Sequence, residues 1–86
     1  MKTVLITGSN GAIGQGLCKG FAENNYRVIG IDLDACSVGN TSSYLSIDLN
    51  RLCIDSNYCN QAIKDIFNSC ENRLDVLINN AATQII

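Results

Sequence analysis

The chain has 86 residues, enough for one domain at most. Of these, 47% are hydrophobic and 16% are charged, a composition typical of a soluble globular protein. The formal net charge of −2 argues against nucleic acid or an anionic membrane as the main partner. No apolar run approaches the roughly 20 residues that span a bilayer, and the N-terminus lacks the features of a secretory signal, so we expect a cytoplasmic protein.

The five cysteines do not form a pattern typical of a metal site. Their number is odd, no Cys-x-x-Cys pair occurs, and the chain has no histidine. We therefore expect reduced thiols and no metal. Cys18 and Cys70 fall on the apolar faces of predicted helices, where cysteine packs as a small hydrophobic residue.

Hydrophobic periodicity predicts alternating strands and helices. In chain order, we expect a strand at Thr3–Thr7, a helix over 12–24, a strand over 27–31, a loop over 35–42, a strand over 44–47, a helix from 55–57 to Asn72, and a strand at Val76–Ile78. This alternation is typical of an α/β fold with a parallel sheet.

Right-handed crossovers would give this sheet the strand order 3-2-1-4. That order is the N-terminal half of a doubly wound, Rossmann-like fold, so residues 1–86 form an incomplete sheet. The second crossover is close to the minimum length for a connection between parallel strands, and we expect it to be mostly loop.

Residues 7–14, TGSNGAIG, run from the end of the first predicted strand into the first predicted helix. A dinucleotide pyrophosphate needs a tight strand-to-helix turn and a helix N-terminus aimed at it. Gly8 allows the turn, Gly11 or Ala12 leaves room for the phosphates, and Gly14 allows close packing of the helix. The spacing and context predict a dinucleotide site, although a purely structural turn is the alternative.

Asp32 follows the second strand and lies 18 residues after Gly14. A carboxylate there can accept both adenosine ribose hydroxyls and would repel a 2′-phosphate. No arginine follows Asp32, which favours NAD over NADP as cofactor. The alternative is a solvated aspartate at a strand end.

The motif TGSNGAIG, Asp32, Asp48 and the segment LDVLINNAA (residues 74–82) together resemble the short-chain dehydrogenase/reductase family across the whole chain. Ala82 stands where the family usually has glycine. The resemblance implies that Ser9 and Ile13 lie near the ribose and pyrophosphate of the cofactor. It also implies that Asp48 and the Leu49 backbone contact adenine, and that Asn79, Asn80 and Ala81 line the cofactor floor and steady the central sheet.

The candidate cofactor-binding residues are therefore Gly8, Ser9, Asn10, Gly11, Ala12, Ile13, Gly14, Asp32, Asp48, Leu49, Asn80 and Ala81. Two of these interpretations have alternatives. Asp48 can be an ordinary loop aspartate, and Asn79 and Asn80 can be a strand terminus with purely structural hydrogen bonds.

The spacing of the glycines leaves the branch of the family open. Gly8, Gly11 and Gly14 resemble the extended branch, which includes nucleotide-sugar epimerases and dehydratases. Gly8, Ala12 and Gly14 fit the compact dehydrogenase branch about as well. The segment Asn-Asn-Ala-Ala at residues 79–82 favours the compact branch.

Catalysis in this family uses a Tyr-x-x-x-Lys pair, and no tyrosine here has a lysine four residues later. We therefore assign no catalytic residue and expect the N-terminal segment of a longer NAD-dependent oxidoreductase that interconverts an alcohol and a carbonyl. The resemblance implies a small-molecule substrate and a homo-oligomer. The alternative is a non-catalytic nucleotide-binding module.

Overall fold

The computed structural model describes residues 1–81; Ala82 of the Asn-Asn-Ala-Ala segment and residues 83–86 lie outside the described residues. The elements are, in chain order, β1 (Thr3–Thr7), α1 (Ala12–Glu23), β2 (Arg27–Asp32), β3 (Ser43–Ser46), α2 (Leu49–Ile54), α3 (Ser56–Cys70) and β4 (Val76–Ile78). All strand pairs are parallel and the spatial order is β3-β2-β1-β4. The predicted Rossmann-like sheet with order 3-2-1-4 is confirmed.

The core has two layers because helices cover both faces of the sheet. One buried cluster, on the side of α1, consists of Val4, Ile6, Cys18 and Val28. The other, on the side of α2 and α3, consists of Leu5, Ile29, Ile31, Ile47, Ala62 and Cys70. Successive side chains of a strand point to opposite faces of the sheet, and helices cover both faces, so all five residues of β1 are buried. Burial on both faces explains the continuous apolar run at Thr3–Thr7.

One helix is missing from the sequence prediction. The chain forms α2 at Leu49–Ile54, where we predicted no element before residue 55. None of the α2 residues is fully buried, and Leu49 and Leu52 pack only partly against the core, so its six residues give a stripe too short to predict a helix. Asp48 caps α2 instead, because its Oδ1 accepts hydrogen bonds from the Asn50 and Arg51 amides at 3.0 and 3.3 Å.

The other helix boundaries are close to the predictions. Helix α1 ends at Glu23, and Asn25, with φ of 64°, adopts the left-handed conformation that asparagine tolerates. Helix α3 ends at Cys70, two residues before the predicted end, and the left-handed Glu71 follows. No helix among residues 1–81 is long and apolar enough to cross a membrane.

The connection between β2 and β3 contains neither helix nor strand over residues 33–42, as predicted for a short crossover. Strand β3 begins and ends one residue earlier than predicted. Ile47 follows it and donates its N–H to the Asp32 carbonyl at 2.9 Å, which keeps the ends of β2 and β3 together.

The cysteines are free thiols, and two of them belong to the core. Cys18 is fully buried and Cys70 is nearly so, as the apolar stripes predict. Burial raises the pKa of both thiols, so both remain uncharged at neutral pH.

Candidate functional site

The glycine turn joins β1 to α1 at the carboxyl end of the sheet. Gly8 has φ of 67°, which a residue with a side chain rarely adopts. The Gly11 N–H donates to the Gly8 carbonyl at 3.2 Å and closes the turn. A Cβ on Gly8 would lie 3.0 Å from the Ala81 Cα, so the segment after β4 also requires glycine here.

Gly14 brings the first turn of α1 against the glycine turn. A Cβ at this position would overlap the Gly8 carbonyl oxygen and lie 2.9 Å from the Ser9 Cα. Only glycine allows this approach, and the close packing predicted for Gly14 is present. Gly14 is buried and acts through this packing rather than through an exposed surface.

The N-terminus of α1 is accessible to an anion. Gly11 is the N-cap, no side chain caps it, and the first turn has no acidic residue. The first N–H groups of a helix lack partners within the helix and carry its positive dipole end. Gly11 and Ala12 are exposed, as is 71% of Ile13. The arrangement suits a phosphate group.

Asp32 is the last residue of β2 and its carboxylate is held on both sides. Oδ2 accepts from the Asn10 N–H at 2.9 Å, and Oδ1 accepts from the Leu33 N–H at 2.8 Å. A carboxylate oxygen has two lone pairs, so each oxygen can still accept one more hydrogen bond. The half-buried carboxylate is therefore oriented and able to bind two hydroxyls.

The side chain of Asn10 faces the loop after β2. Its Nδ2 lies 3.1 Å from Asp34 Oδ2, 3.0 Å from the Cys36 carbonyl and 3.3 Å from the Tyr44 hydroxyl. The Tyr44 hydroxyl donates to the Asp34 carbonyl at 2.6 Å. Burial, with the charges of the two carboxylates nearby, raises the Tyr44 pKa, so its hydroxyl stays a donor. Asn10 thus positions the loop.

Ser9 does not border the surface of the site. It is 1% exposed, and its hydroxyl has no hydrogen-bond partner among the described residues. A Cβ on Gly30 would lie 2.7 Å from the Ser9 Oγ, so the hydroxyl packs against the backbone of β2. The predicted contact of Ser9 with a cofactor therefore stays a prediction, while its place in the structure is inside the turn.

Asp48 is held from two directions at the end of β3. Its Oδ1 caps α2, and its backbone N–H donates to the Tyr58 hydroxyl of α3 at 2.9 Å. Its other oxygen, Oδ2, accepts no hydrogen bond from residues 1–81. Asp48 is half-buried, so this oxygen is available to a ligand.

Thr7 ties the end of β1 to the segment after β4. Its hydroxyl oxygen accepts from the Asn80 and Ala81 amides at 3.1 and 3.0 Å. The Asn80 Nδ2 donates to the Gly8 carbonyl at 3.2 Å. These contacts are structural, which supports the interpretation that this asparagine steadies the central strands.

These elements border one open surface, which we call the strand-end cleft. One part, of about 420 Å³, is lined by the predicted residues Gly8, Asp32, Asp48, Leu49 and Ala81. An adjoining part, also of about 420 Å³, is lined by Gly8, Gly11, Ala12, Ile13, Asp32, Asn80 and Ala81. Each volume is in the range of small-molecule sites. Nine of the twelve predicted residues meet there, and Ser9, Asn10 and Gly14 support them from behind.

Comparison with known proteins shows the family of this chain. A family model described as short chain dehydrogenase matches residues 2–86. The chain belongs to the short-chain dehydrogenase family. An uncharacterised oxidoreductase of Schizosaccharomyces pombe is 38% identical over 81 residues, which make up 93% of this chain and 30% of that protein.

Two solved structures share the fold of this chain. A 4-hydroxyisoleucine dehydrogenase complexed with NADH has a TM-score of 0.74 and 27% identity, with 100% of this chain and 35% of that one covered. A short-chain dehydrogenase of Leptospira borgpetersenii with bound NAD+ has a TM-score of 0.71 and 33% identity, with 98% and 32% covered. The chain spans about a third of the length of these relatives.

The three tyrosines of this chain all have structural contacts. Tyr26 packs edge-on against Phe21 with ring centroids 4.9 Å apart, while Tyr44 and Tyr58 bind backbone groups through their hydroxyls. None is followed four residues later by lysine. The chain therefore contains no Tyr-x-x-x-Lys pair.

Sequence reasoning did not single out Thr7 or Tyr58 as site residues. Thr7 had a usable signal, because it begins the glycine motif at the end of a strand. Tyr58 had none, since its contact with Asp48 depends on how α2 folds back onto α3.

Proposed function

We propose that this chain is the NAD-binding part of an oxidoreductase that interconverts an alcohol and a carbonyl compound. The observation that carries the proposal is the convergence of the α1 N-terminus, Asp32 and Asp48 on one cleft. A positive helix end and two oriented carboxylates are complementary to a dinucleotide, which presents phosphates, ribose hydroxyls and an exocyclic amine.

The residues present fit the adenosine half of NAD. The carboxylate of Asp32 would accept the ribose hydroxyls, the amides of Ala12 and Ile13 would bind the pyrophosphate, and Asp48 Oδ2 would accept from the adenine amine. Asn80 and Ala81 would form the floor next to the glycine turn. When bound, the nicotinamide ring would accept or donate the hydride of the reaction.

The acidic loop after β2 favours NAD over NADP. Asp34 stands beside Asp32, and Asn10 holds both carboxylates at this end of the cleft. Residues 33–42 contain no lysine or arginine that could pair with a 2′-phosphate. Two relatives of similar fold are complexes with NADH and NAD+, which supports the same choice.

Other properties of the whole protein follow from the proposed role. The proton transfer at the substrate oxygen would come from residues outside this chain, because the chain lacks a Tyr-x-x-x-Lys pair. We propose a small-molecule alcohol or carbonyl substrate and a homo-oligomer, as the family resemblance implies. Five free thiols fit the reducing environment of the cytoplasm.

Isothermal titration of the purified protein with NAD and NADP tests the proposal. We expect a single site whose dissociation constant is at least about tenfold lower for NAD, since a 2′-phosphate would meet two carboxylates. Equal or tighter binding of NADP would contradict the cofactor choice. Absence of binding by both dinucleotides would contradict the proposed function itself.

A non-catalytic nucleotide-binding module is the second candidate. It is favoured by one observation, that the chain carries the candidate binding residues without the acid–base pair. The mass of the native product, detected in its source cells with an antibody against these residues, separates the two. A product of roughly 25–30 kDa would support the oxidoreductase, and one at the 9.3 kDa of this chain would support the module.

A further inference from the structure

We propose that Tyr58 is a positioning residue that gives the protein its selectivity for adenine. The inference rests on the proposed function, because it concerns the adenine end of the same cleft. Tyr58 itself does not line the cleft. It acts through Asp48, whose carboxylate does.

The hydroxyl of Tyr58 fixes the backbone of Asp48. The Asp48 N–H donates to this hydroxyl oxygen at 2.9 Å, and the contact joins α3 to the end of β3 across ten residues of chain. The capping contacts to Asn50 and Arg51 fix Oδ1 of the same residue. With its backbone and Oδ1 both held, the free Oδ2 has a defined position.

The ring of Tyr58 is itself held in place. Its backbone N–H donates to Asp55 Oδ1 at 3.1 Å, and the Arg51 guanidinium lies 4.3 Å from the ring centroid. The Arg51 Nε pairs with Asp55 Oδ2 at 3.4 Å. Arg51 of α2 therefore contacts both the Tyr58 ring and Asp55, the residue between α2 and α3. The interaction of a cation with the face of an aromatic ring is attractive. The hydroxyl meets Asp48 in one orientation.

A fixed acceptor distinguishes adenine from hypoxanthine. The adenine amine can donate to Oδ2, whereas hypoxanthine presents a carbonyl oxygen at that position and would be repelled. Without the Tyr58 hydroxyl, Asp48 would lose one of its two restraints, and its carboxylate could turn away from the repulsive oxygen. Selectivity for adenine would fall more than the overall affinity.

The test compares dissociation constants for NAD and for nicotinamide hypoxanthine dinucleotide. We expect the wild-type protein to prefer NAD about tenfold, the size of one hydrogen bond to a charged acceptor. In Tyr58→Phe the preference should fall to about twofold, and in Arg51→Met it should be intermediate. Tyr26→Phe is the matched control, since its ring packs against Phe21, and its preference should equal that of the wild type.

The outcomes separate this inference from the proposed function. If the wild-type protein binds no dinucleotide, the proposed function fails and this inference fails with it. If it binds NAD without preferring adenine, or if Tyr58→Phe keeps the tenfold preference, only this inference is overturned. Loss of the folded state in Tyr58→Phe, seen by circular dichroism, would also overturn it, because the hydroxyl would then be structural.

Discussion

The backbone N–H of Asn10 donates to Oδ2 of Asp32 at 2.9 Å. This bond connects the glycine turn after β1 to the last residue of β2. The two parts of the chain that would hold the pyrophosphate and the ribose are therefore fixed to each other before a ligand arrives. Preorganisation of this kind lowers the cost of ordering groups on binding.

Replacement of Asp32 should weaken NAD binding selectively. In Asp32→Ala we expect a loss of about 2 kcal/mol for NAD, roughly 30-fold, because two hydroxyls lose a charged acceptor. The affinity for NADP should change less than about threefold, since the repulsion of its phosphate is also relieved. Titration calorimetry measures both affinities, and Asp65→Ala on α3 is the control variant. Equal losses for both cofactors would count against the role of Asp32.

Two glycines of α1 should respond to alanine in opposite directions. Gly14→Ala places a Cβ on the Gly8 carbonyl, and we expect a loss of about 2 kcal/mol in the free energy of unfolding. Gly16→Ala meets no atom within 4 Å and should stabilise the helix by about 0.5–1 kcal/mol. Urea denaturation of both variants checks this, and a stable Gly14→Ala protein would show that the turn is looser than described.

Loss of the Thr7 hydroxyl should loosen the segment after β4. Thr7→Val leaves the Asn80 and Ala81 amides without their acceptor, at a cost of about 1–3 kcal/mol. Hydrogen exchange at these two amides should accelerate. Thr7→Ser keeps the hydroxyl and should protect them far better than Thr7→Val, and identical exchange in both variants would exclude the hydroxyl as the cause.

Asp75 should make stability depend on pH in acid. A hydrogen bond from the Arg73 side chain and another from the Thr3 N–H lower the pKa of its carboxyl. A lowered pKa in the folded state means that the carboxylate stabilises the fold above the ordinary aspartate pKa. This stabilisation is lost as the pH falls through that value and below it.

The variant Asp75→Asn isolates this contribution. In urea titrations at pH 7 and pH 3, the stability of Asp75→Asn should depend less on pH than that of the wild type. Asp65→Asn, whose carboxyl accepts from the Gln61 side chain on the outside of α3, is the control. A wild-type pH dependence in Asp75→Asn would contradict the assignment.

The sheet and the glycine turn could be predicted because both depend on local physical rules. The apolar run at Thr3–Thr7 predicts a strand buried on both faces, and the tight turn after it predicts a positive φ at Gly8, which glycine adopts at little cost. Right-handed crossovers then limit the strand order to the one observed.

The parts that could not be predicted depend on contacts between distant segments. Helix α2 has six residues, of which Leu49 and Leu52 pack only partly against the core, so its clearest signal was Asp48, which we interpreted as an adenine contact or a loop aspartate rather than an N-cap. The sequence also could not predict that the Asn10 side chain binds the loop after β2, because its partners lie 24 to 34 residues further along the chain. Spacing alone shows which residues are near a turn and not where their side chains point.

The most direct test of cofactor binding in the strand-end cleft is an NMR titration of the isotope-labelled protein with NAD. We predict the largest amide shift changes at Gly11, Ile13, Asp32 and Asp48, which border the strand-end cleft. Amides of Lys64 and Asn68 on α3 should stay unchanged, since neither residue borders that cleft. Shift changes centred on α3, or none in the glycine turn at saturating NAD, would contradict the claim that this cleft binds the cofactor.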